Sequence, residues 1–384
     1  MKQRSYGYIK FAAIAVNAIV MMILALSGGL AYMMADLNIS SETAVLILMI
    51  PNFVAIPFCF FCGSFCNKFS TRNVALFGTA VFAITGVAPC FLQNVTAILV
   101  VRALHGIGYA FCSSCSATLV TEYCPDDADS LMGIKQSVQN VFAIAYGLLG
   151  GYLATLNWRY SYLLYLIAVP IFFIMLGLPK RETKAAQTEK VKVHLTGKTW
   201  AWCIGMFIFM LSIACFSNHM SEIVVGREIS DATGSGAVVS ISTAFGVVAG
   251  LVFGRVFKAL GKFTMPLSLL LVAITQFMIP LTDSYLVIAL AGGIQGLAYS
   301  TAVPCALMGT AGSCDAESSG TAIGIMVSFM LLGNVCSDYV LAPMSSLLGG
   351  GAAGKYYGAA IIGLVCMVYF FVLESIKKPE TQAA

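Results

Sequence analysis

Gly63-Ser64-Phe65-Cys66-Asn67-Lys68, followed by Arg72, closes one long apolar stretch, and Gly254-Arg255-Val256-Phe257-Lys258, followed by Gly261-Lys262, closes another 191 positions later. A glycine and then a short basic turn at the same place in two halves of one chain mark an internal duplication. Two more stretches align in the same order. Leu104-His105-Gly106-Ile107-Gly108-Tyr109-Ala110 lies over Ile294-Gln295-Gly296-Leu297-Ala298-Tyr299-Ser300, and Ala128-Asp129-Ser130 over Ala316-Glu317-Ser318.

Composition names the solvent. Hydrophobic residues make up 59% of the 384 and charged ones 10%, against about 45–50% and 25% in soluble domains. A helix crosses the hydrocarbon with about 20 apolar residues. Stretches of that length predict twelve spans, at 9–34, 44–66, 73–91, 97–123, 131–156, 159–178, 199–225, 236–256, 263–281, 284–311, 320–348 and 356–373.

An even number of spans puts both termini on one side, and Lys and Arg of short loops are retained in the cytoplasm. Lys2, Arg4, Lys10, Lys68, Arg72, Lys135, Lys180, Arg181, Lys184, Lys190, Lys192, Lys198, Arg255, Lys258, Lys262, Lys377 and Lys378, 17 of the 21 basic residues, fall on one side. Arg159, Arg227 and Lys355 fall on the other, and Arg102 lies within a span. The expectation is a multi-pass protein of the plasma (inner) membrane with cytoplasmic termini. Its organisation is an N-terminal six-helix bundle at 1–179, a cytoplasmic linker at 180–198 and a C-terminal six-helix bundle at 199–384.

Other classes are excluded on residues. The formal charge of +4 reflects topology and offers no basic face to nucleic acid. The first 30 residues lack a small-residue cleavage site, so span 1 is expected to be a permanent anchor. Most of the 13 cysteines sit in spans and count as small packing residues, Cys112-Ser113-Ser114-Cys115 included, so no disulfide framework, metal or cofactor is expected. Gly197-Lys198-Thr199 looks like the end of a phosphate-binding loop, but Lys192 stands where its first glycine belongs, and neither H-E-x-x-H nor G-x-S-x-G occurs. The chain is not expected to be an enzyme.

The duplicated pattern closely resembles the major facilitator superfamily over nearly the whole chain. Gly63, Asn67, Lys68 and Arg72 fall on its loop motif between spans 2 and 3, Arg102, Gly106 and Gly108 on its span 4 motif, and Trp158-Arg159 on the opening of its span 6. The chain departs at Asn67, where the motif carries Asp, and at Ser70-Thr71, where it carries Gly-Arg. Tyr146-Gly147-Leu148-Leu149-Gly150-Gly151 lacks the proline of the span 5 signature of proton-driven drug exporters, whereas Met132-Gly133-Ile134-Lys135-Gln136-Ser137 is similar to the start of span 5 in cyanate-permease-like uptake members. The resemblance implies an all-α integral membrane fold of twelve transmembrane helices in two pseudo-symmetric six-helix bundles. It also implies a monomer that moves a small solute by alternating access.

Ionisable residues inside spans normally face a partner or a wet cavity. Arg102, His105, Tyr109, Ser113 and Ser116 form one polar stripe on span 4, expected to line the central cavity. Arg102 can bind a carboxylate or hold a neighbouring helix through its carbonyls; His105 can relay a proton or serve as an interior hydrogen-bonded group. Lys135 can snorkel, with Glu122 as counter-charge, or join Gln136, Gln139 and Asn140 in presenting donors to an anion. His219 and Glu222 on span 7 suggest a proton site or outer gate, with an interface position for Glu222 as the other reading.

Asp338, with Asn334 one turn away and Gly150 as its repeat mate, can load a proton, pair with Arg102 or lie at the interface. Gln295 and Tyr299 are the second-half mates of His105 and Tyr109. Gly63, Asn67, Lys68, Arg72, Gly254, Arg255, Lys258, Gly261 and Lys262 are assigned to a conformational latch, with the acidic loop Pro125-Asp126-Asp127-Ala128-Asp129 as its partner across the halves. The leading function is proton-coupled uptake of a small organic anion. Proton-driven export of amphiphiles and ligand sensing without flux stay open.

Overall fold

In the computed structural model, residues 6–27, 29–180, 194–315 and 317–375 are described; they are helical with short 3-10 turns, and no strand occurs among them. Lys2, Arg4, Arg181, Lys184, Lys190, Lys192, Lys377 and Lys378, with most of the expected linker, lie outside the described residues, as does Ala316.

Twelve membrane-crossing helices follow in chain order. α1 is broken into Tyr6–Ala15, Asn17–Val20, Leu24–Ser27 and Leu30–Leu37; α2 is Ser41–Phe69, α3 Thr71–Val87, α4 Val95–Tyr123 and α5 Ala128–Leu156. α6 starts as a 3-10 helix, Trp158–Ile167, and continues over Ala168–Leu176. The second set is α7 Gly197–Val224, α8 Ala232–Leu260, α9 Thr264–Met278, α10 Tyr285–Ala311, α11 Ser319–Leu347 and α12 Gly351–Ser375. The helices overrun the expected spans because they begin among polar caps. Ser40, Ser70, Asn94, Thr196 and Asp231 each accept a hydrogen bond from the third amide of α2, α3, α4, α7 and α8. At the first break of α1, the Asn17 amide donates to the Ile14 carbonyl at 3.0 Å, in competition with the helix backbone.

Ten stretches of the described residues are long and apolar enough to cross a membrane; one of them, Gly234–Leu281, holds both α8 and α9. α5 falls outside these ten, because its first half carries Lys135, Gln136, Gln139 and Asn140.

The duplication holds helix by helix. α2 maps onto α8 and α5 onto α11 at both ends with an offset of 191. The alignment of Ala128-Asp129-Ser130 with Ala316-Glu317-Ser318 is therefore corrected by three residues. Ser130 corresponds to Thr321, and Asp338 to Gly147 rather than Gly150. A slip of three nearly restores the helix face, which makes the local match deceptive.

That register exposes a two-fold contact between the bundles, α5 on α8 and α2 on α11. A Cβ on Gly133 would collide with the Gly250 carbonyl oxygen, and one on Gly324 would meet the Cys59 oxygen at 2.5 Å. Ser137 donates to the Val247 carbonyl at 2.7 Å, and its mate Ser328 to the Ile56 carbonyl at 2.9 Å. Gly63 abuts Thr321, and Gly254 abuts Ser130. Missing Cβ atoms let the backbones approach, which substitutes for the absent hydrophobic effect between helices in lipid. These contacts run from mid-membrane to the end carrying Lys68, Arg72, Lys258 and Lys262, so the bundles are closed at the basic face.

Gly133→Leu is expected to part α5 from α8 at the basic face. Hydrogen–deuterium exchange checks this: exchange speeds up at the start of α5 and the end of α8 and stays unchanged in α12.

Candidate functional site

Away from the basic face the bundles separate around a cavity of about 450 Å³, lined by α1, α2, α4 and α5 on one side and α7, α10 and α11 on the other. Exposed Ser217, Asn218 and Asn334 lie on its α7 and α11 walls, and it opens toward the face opposite the basic turns. Tyr109, Ser113, Ser116, Lys135, Gln136, Gln139, Tyr299 and Asn334 line it, together with Asn52, which the sequence reading missed.

Lys135 is the charged residue of this lining among the described residues, and it is 4% exposed. It forms no hydrogen bond or ion pair with any described residue. Glu122, the expected counter-charge, does not reach it; the Glu122 Oε2 atom is buried without a partner. Neighbouring donors are held in place. Gln139 donates to Asn17 Oδ1 at 2.9 Å, and Gln136 donates to Asn140 Oδ1 at 3.5 Å. Asn140 in turn donates to Ser300 of α10 at 2.9 Å, so it ties the bundles together and does not line the cavity.

The repeat makes the walls unequal. The mates of Lys135, Gln136, Gln139 and Asn140 on α11 are Met326, Val327, Met330 and Leu331, of which Val327, Met330 and Leu331 also line the cavity. At matching positions α5 presents a cation and two amides where α11 presents apolar side chains, with Asn334 the polar residue of the α11 lining.

Arg102 and His105 are corrected: neither lines the cavity, because α2, α3 and α6 cover the outer end of the α4 stripe. Arg102 is fully buried and donates through Nε to the Ile47 carbonyl at 3.0 Å and through Nη1 to Tyr165 at 3.4 Å. The cause lies four residues on from Ile47. Pro51 sits inside α2 and has no N–H, so the Ile47 carbonyl has no helical donor. Gly106, one turn along α4, lets that helix rest on Pro51, with a Cβ there only 2.5 Å from the Pro51 oxygen.

The second half keeps the contact and drops the arginine. Gly296 abuts Ser242, the mate of Pro51, and Gly292 stands where Arg102 would; Ser242 retains its N–H for Val238. His105 Nδ1 meets Thr85 at 3.1 Å, and Gln295 accepts from Thr275. Both pairs are offset by 190, so His105 and Gln295 perform the same interhelical tie, and Gln295 also lies outside the cavity.

His219, Glu222 and Asp338 do come together, but outside this cavity, on α7 and α11, with Lys355 of α12 added by the fold. His219 Nδ1 is 2.8 Å from Glu222 Oε1, Nε2 is 2.6 Å from Asp338 Oδ1, and Lys355 Nζ is 3.7 Å from Glu222 Oε2. Both imidazole nitrogens can donate to carboxylates only when the ring carries two protons. Asp338 is 53% exposed, and its pairing with Arg102 is replaced by the pairing with His219.

Of the expected latch, Gly63 and Gly254 lie in the contact between the halves and the charge of Lys258 acts on Asp127 across it, while two of its members pair otherwise. Arg72 donates to the Leu176 carbonyl at 2.7 Å and so caps α6, while Asp127 pairs with Lys10 at 2.8 Å inside the same half. Lys10 and the Tyr6 hydroxyl hold the Asp127 carboxyl below the usual carboxylate range. Lys68 and Lys262 each lie 5.3 Å over the ring of the next residue, Phe69 and Phe263. Gly261 turns the chain at φ +51°, as does its mate Ser70 at +69°. Asn67, Arg255 and Lys258 form no hydrogen bond or ion pair among the described residues.

The sequence profile of the Major Facilitator Superfamily matches residues 11–262 and 202–384. An uncharacterized MFS-type transporter, EfpA, of Mycobacterium tuberculosis is 24% identical over 165 residues, 41% of this chain and 30% of that protein. The arabinose-proton symporter of Bacillus subtilis is 24% identical over 160 residues, 36% of this chain and 34% of that protein. These alignments span about a third of the relatives' length. The human organic anion transporter TETRAN superposes with a TM-score of 0.76 at 14% identity, covering 96% of this chain and 100% of that one. The fucose:proton symporter FucP of E. coli gives 0.76 at 11% identity, over 98% and 100%. Both likenesses show the fold.

Arg102→Leu is expected to destabilise the protein by about 1–3 kcal/mol, the cost of a buried carbonyl without a donor. Pro51→Ala combined with Arg102→Leu is expected to recover most of that loss, because an alanine in place of the proline restores the missing N–H. Thermal unfolding in detergent reads the double-mutant cycle, and strict additivity would contradict this role.

Proposed function

Since the chain belongs to the major facilitator superfamily of membrane transporters, we propose that it takes up a small organic anion with an apolar body, driven by protons. The observation that carries this reading is Lys135: a buried cation without a partner among the described residues, on a cavity in which Val327, Met330 and Leu331 of α11 stand at the positions matching Gln136, Gln139 and Asn140. A carboxylate would complete the ammonium and accept from the amides of Gln136 and Gln139, while Val327, Met330 and Leu331 would cover its hydrocarbon part. TETRAN is named an organic anion transporter; at this identity the likeness is one of fold.

With the basic face in the cytoplasm of a plasma membrane, the cavity opens outward and this conformation receives substrate. Parting of the Gly133, Ser137, Gly324 and Ser328 contacts would then release it inward. Arg102 is assigned to the scaffold and the His219, Glu222, Asp338 and Lys355 cluster to proton uptake from the outer vestibule. His219 bridges Glu222 of α7 and Asp338 of α11, and Lys355 Nζ lies 3.3 Å from its Nδ1, so the cluster spans the α7–α11 contact.

Proteoliposome flux with a panel of monocarboxylates is the test. Lys135→Met, which copies Met326, is expected to weaken transport of a carried carboxylate by at least ~10-fold, in keeping with about 1.5–3 kcal/mol for a hydrogen bond to a charged group. Unchanged flux would sink the anion reading. Asp338→Asn is expected to abolish accumulation driven by a pH gradient while counterflow of the same solute persists; accumulation at the wild-type level would remove the cluster from the coupling.

A further inference from the structure

The α2–α4 contact gathers three cysteines that the sequence gives no reason to connect. Cys62 and Cys66 are one turn apart on α2, with sulfurs 3.9 Å apart, and Cys115 of α4 lies 3.7 Å from each. They are 2%, 7% and 0% exposed. Thiolates around one tetrahedral ion with metal–sulfur bonds of about 2.3 Å stand about 3.8 Å apart. The triangle therefore already has the edge length that such an ion imposes.

We propose that Cys62, Cys66 and Cys115 form a binding site for a thiophilic divalent cation of the zinc and cadmium class, which pins α2 to α4. On α2 packing by itself does not call for sulfur, although Cys115 of α4 has a cysteine mate in Cys305. The mates of Cys62 and Cys66 in the second half are Phe253 and Phe257, whose rings stack at 5.5 Å. Three thiols release three protons to water as the dication enters, so a neutral triad becomes a site with one net negative charge. No oxidant or reductant takes part. A water completes the four-coordinate set.

The site has a mechanical consequence. Cys62 and Cys66 flank the position of Gly63, which seats α2 on Thr321 of the other bundle. A metal at this point stiffens the helix whose release from α11 opens the basic face, so loading is expected to slow transport without occupying the cavity.

The test uses the full-length protein, purified reduced and metal-free, and cadmium alone as probe. The expected result is the ultraviolet thiolate-to-cadmium charge-transfer band at one ion per chain, displaced by zinc and lost in both Cys62→Ala and Cys115→Ala, while Cys90→Ser retains it. In the wild type, zinc is expected to protect Cys62, Cys66 and Cys115 from maleimide, as read by peptide mass spectrometry; this arm does not depend on any variant folding. Absence of the band, its persistence in both alanine variants, unprotected cysteines, or a Cys62–Cys115 disulfide in protein isolated without reductant would each overturn the site.

Discussion

Three hydrogen bonds between the bundles, from Ser137, Ser328 and Asn140, and four glycines hold this molecule in the state described. Ser137 on Val247 and Ser328 on Ile56 are the same bond made twice, and Gly133, Gly324, Gly63 and Gly254 bring the backbones close enough to make it. Each such bond contributes about 0.5–1.5 kcal/mol. A closure built from a few of them is held by an amount that ligand binding can match, which is what a two-state transporter requires. The cavity exists because these contacts stop at mid-membrane and leave the other half of the interface unfilled.

The duplicated architecture separates scaffold from function more sharply than either half does alone. Arg102 against Gly292 looks like a functional difference until Pro51 against Ser242 accounts for it: an arginine is needed where a proline has removed a backbone donor. His105 against Gln295 disappears in the same way, since Thr85 and Thr275 receive the same tie. What remains unequal is α5 against α11. There Lys135, Gln136 and Gln139 face Val327, Met330 and Leu331 across the cavity, and no scaffold contact explains the lysine.

Much of the fold was legible in the chain. Twelve apolar stretches, the basic turns at Lys68 and Lys262, and the glycine pair Gly106 and Gly296 suffice for the duplication and the two bundles, because period and composition are local properties. The register of α5 on α11 was not, since a three-residue slip preserves the helix face. Polar periodicity placed Arg102 and His105 on the cavity stripe but carried no information on depth, and the covering by α2 at Pro51 is a tertiary fact. Lys355 was missed for the same reason: nothing near it in sequence points to His219, 136 residues away. The polar residues Lys135, Gln136 and Gln139 were legible as cavity candidates, because α5 is too polar for a lipid-facing span.

The proposed function turns on whether the cavity recognises negative charge. Thermal unfolding of the purified wild-type protein with small monocarboxylates and their primary amides, matched in shape, measures this directly. Stabilisation by a carboxylate and none by its amide is the expected result. Equal stabilisation by both would contradict a cavity organised around Lys135.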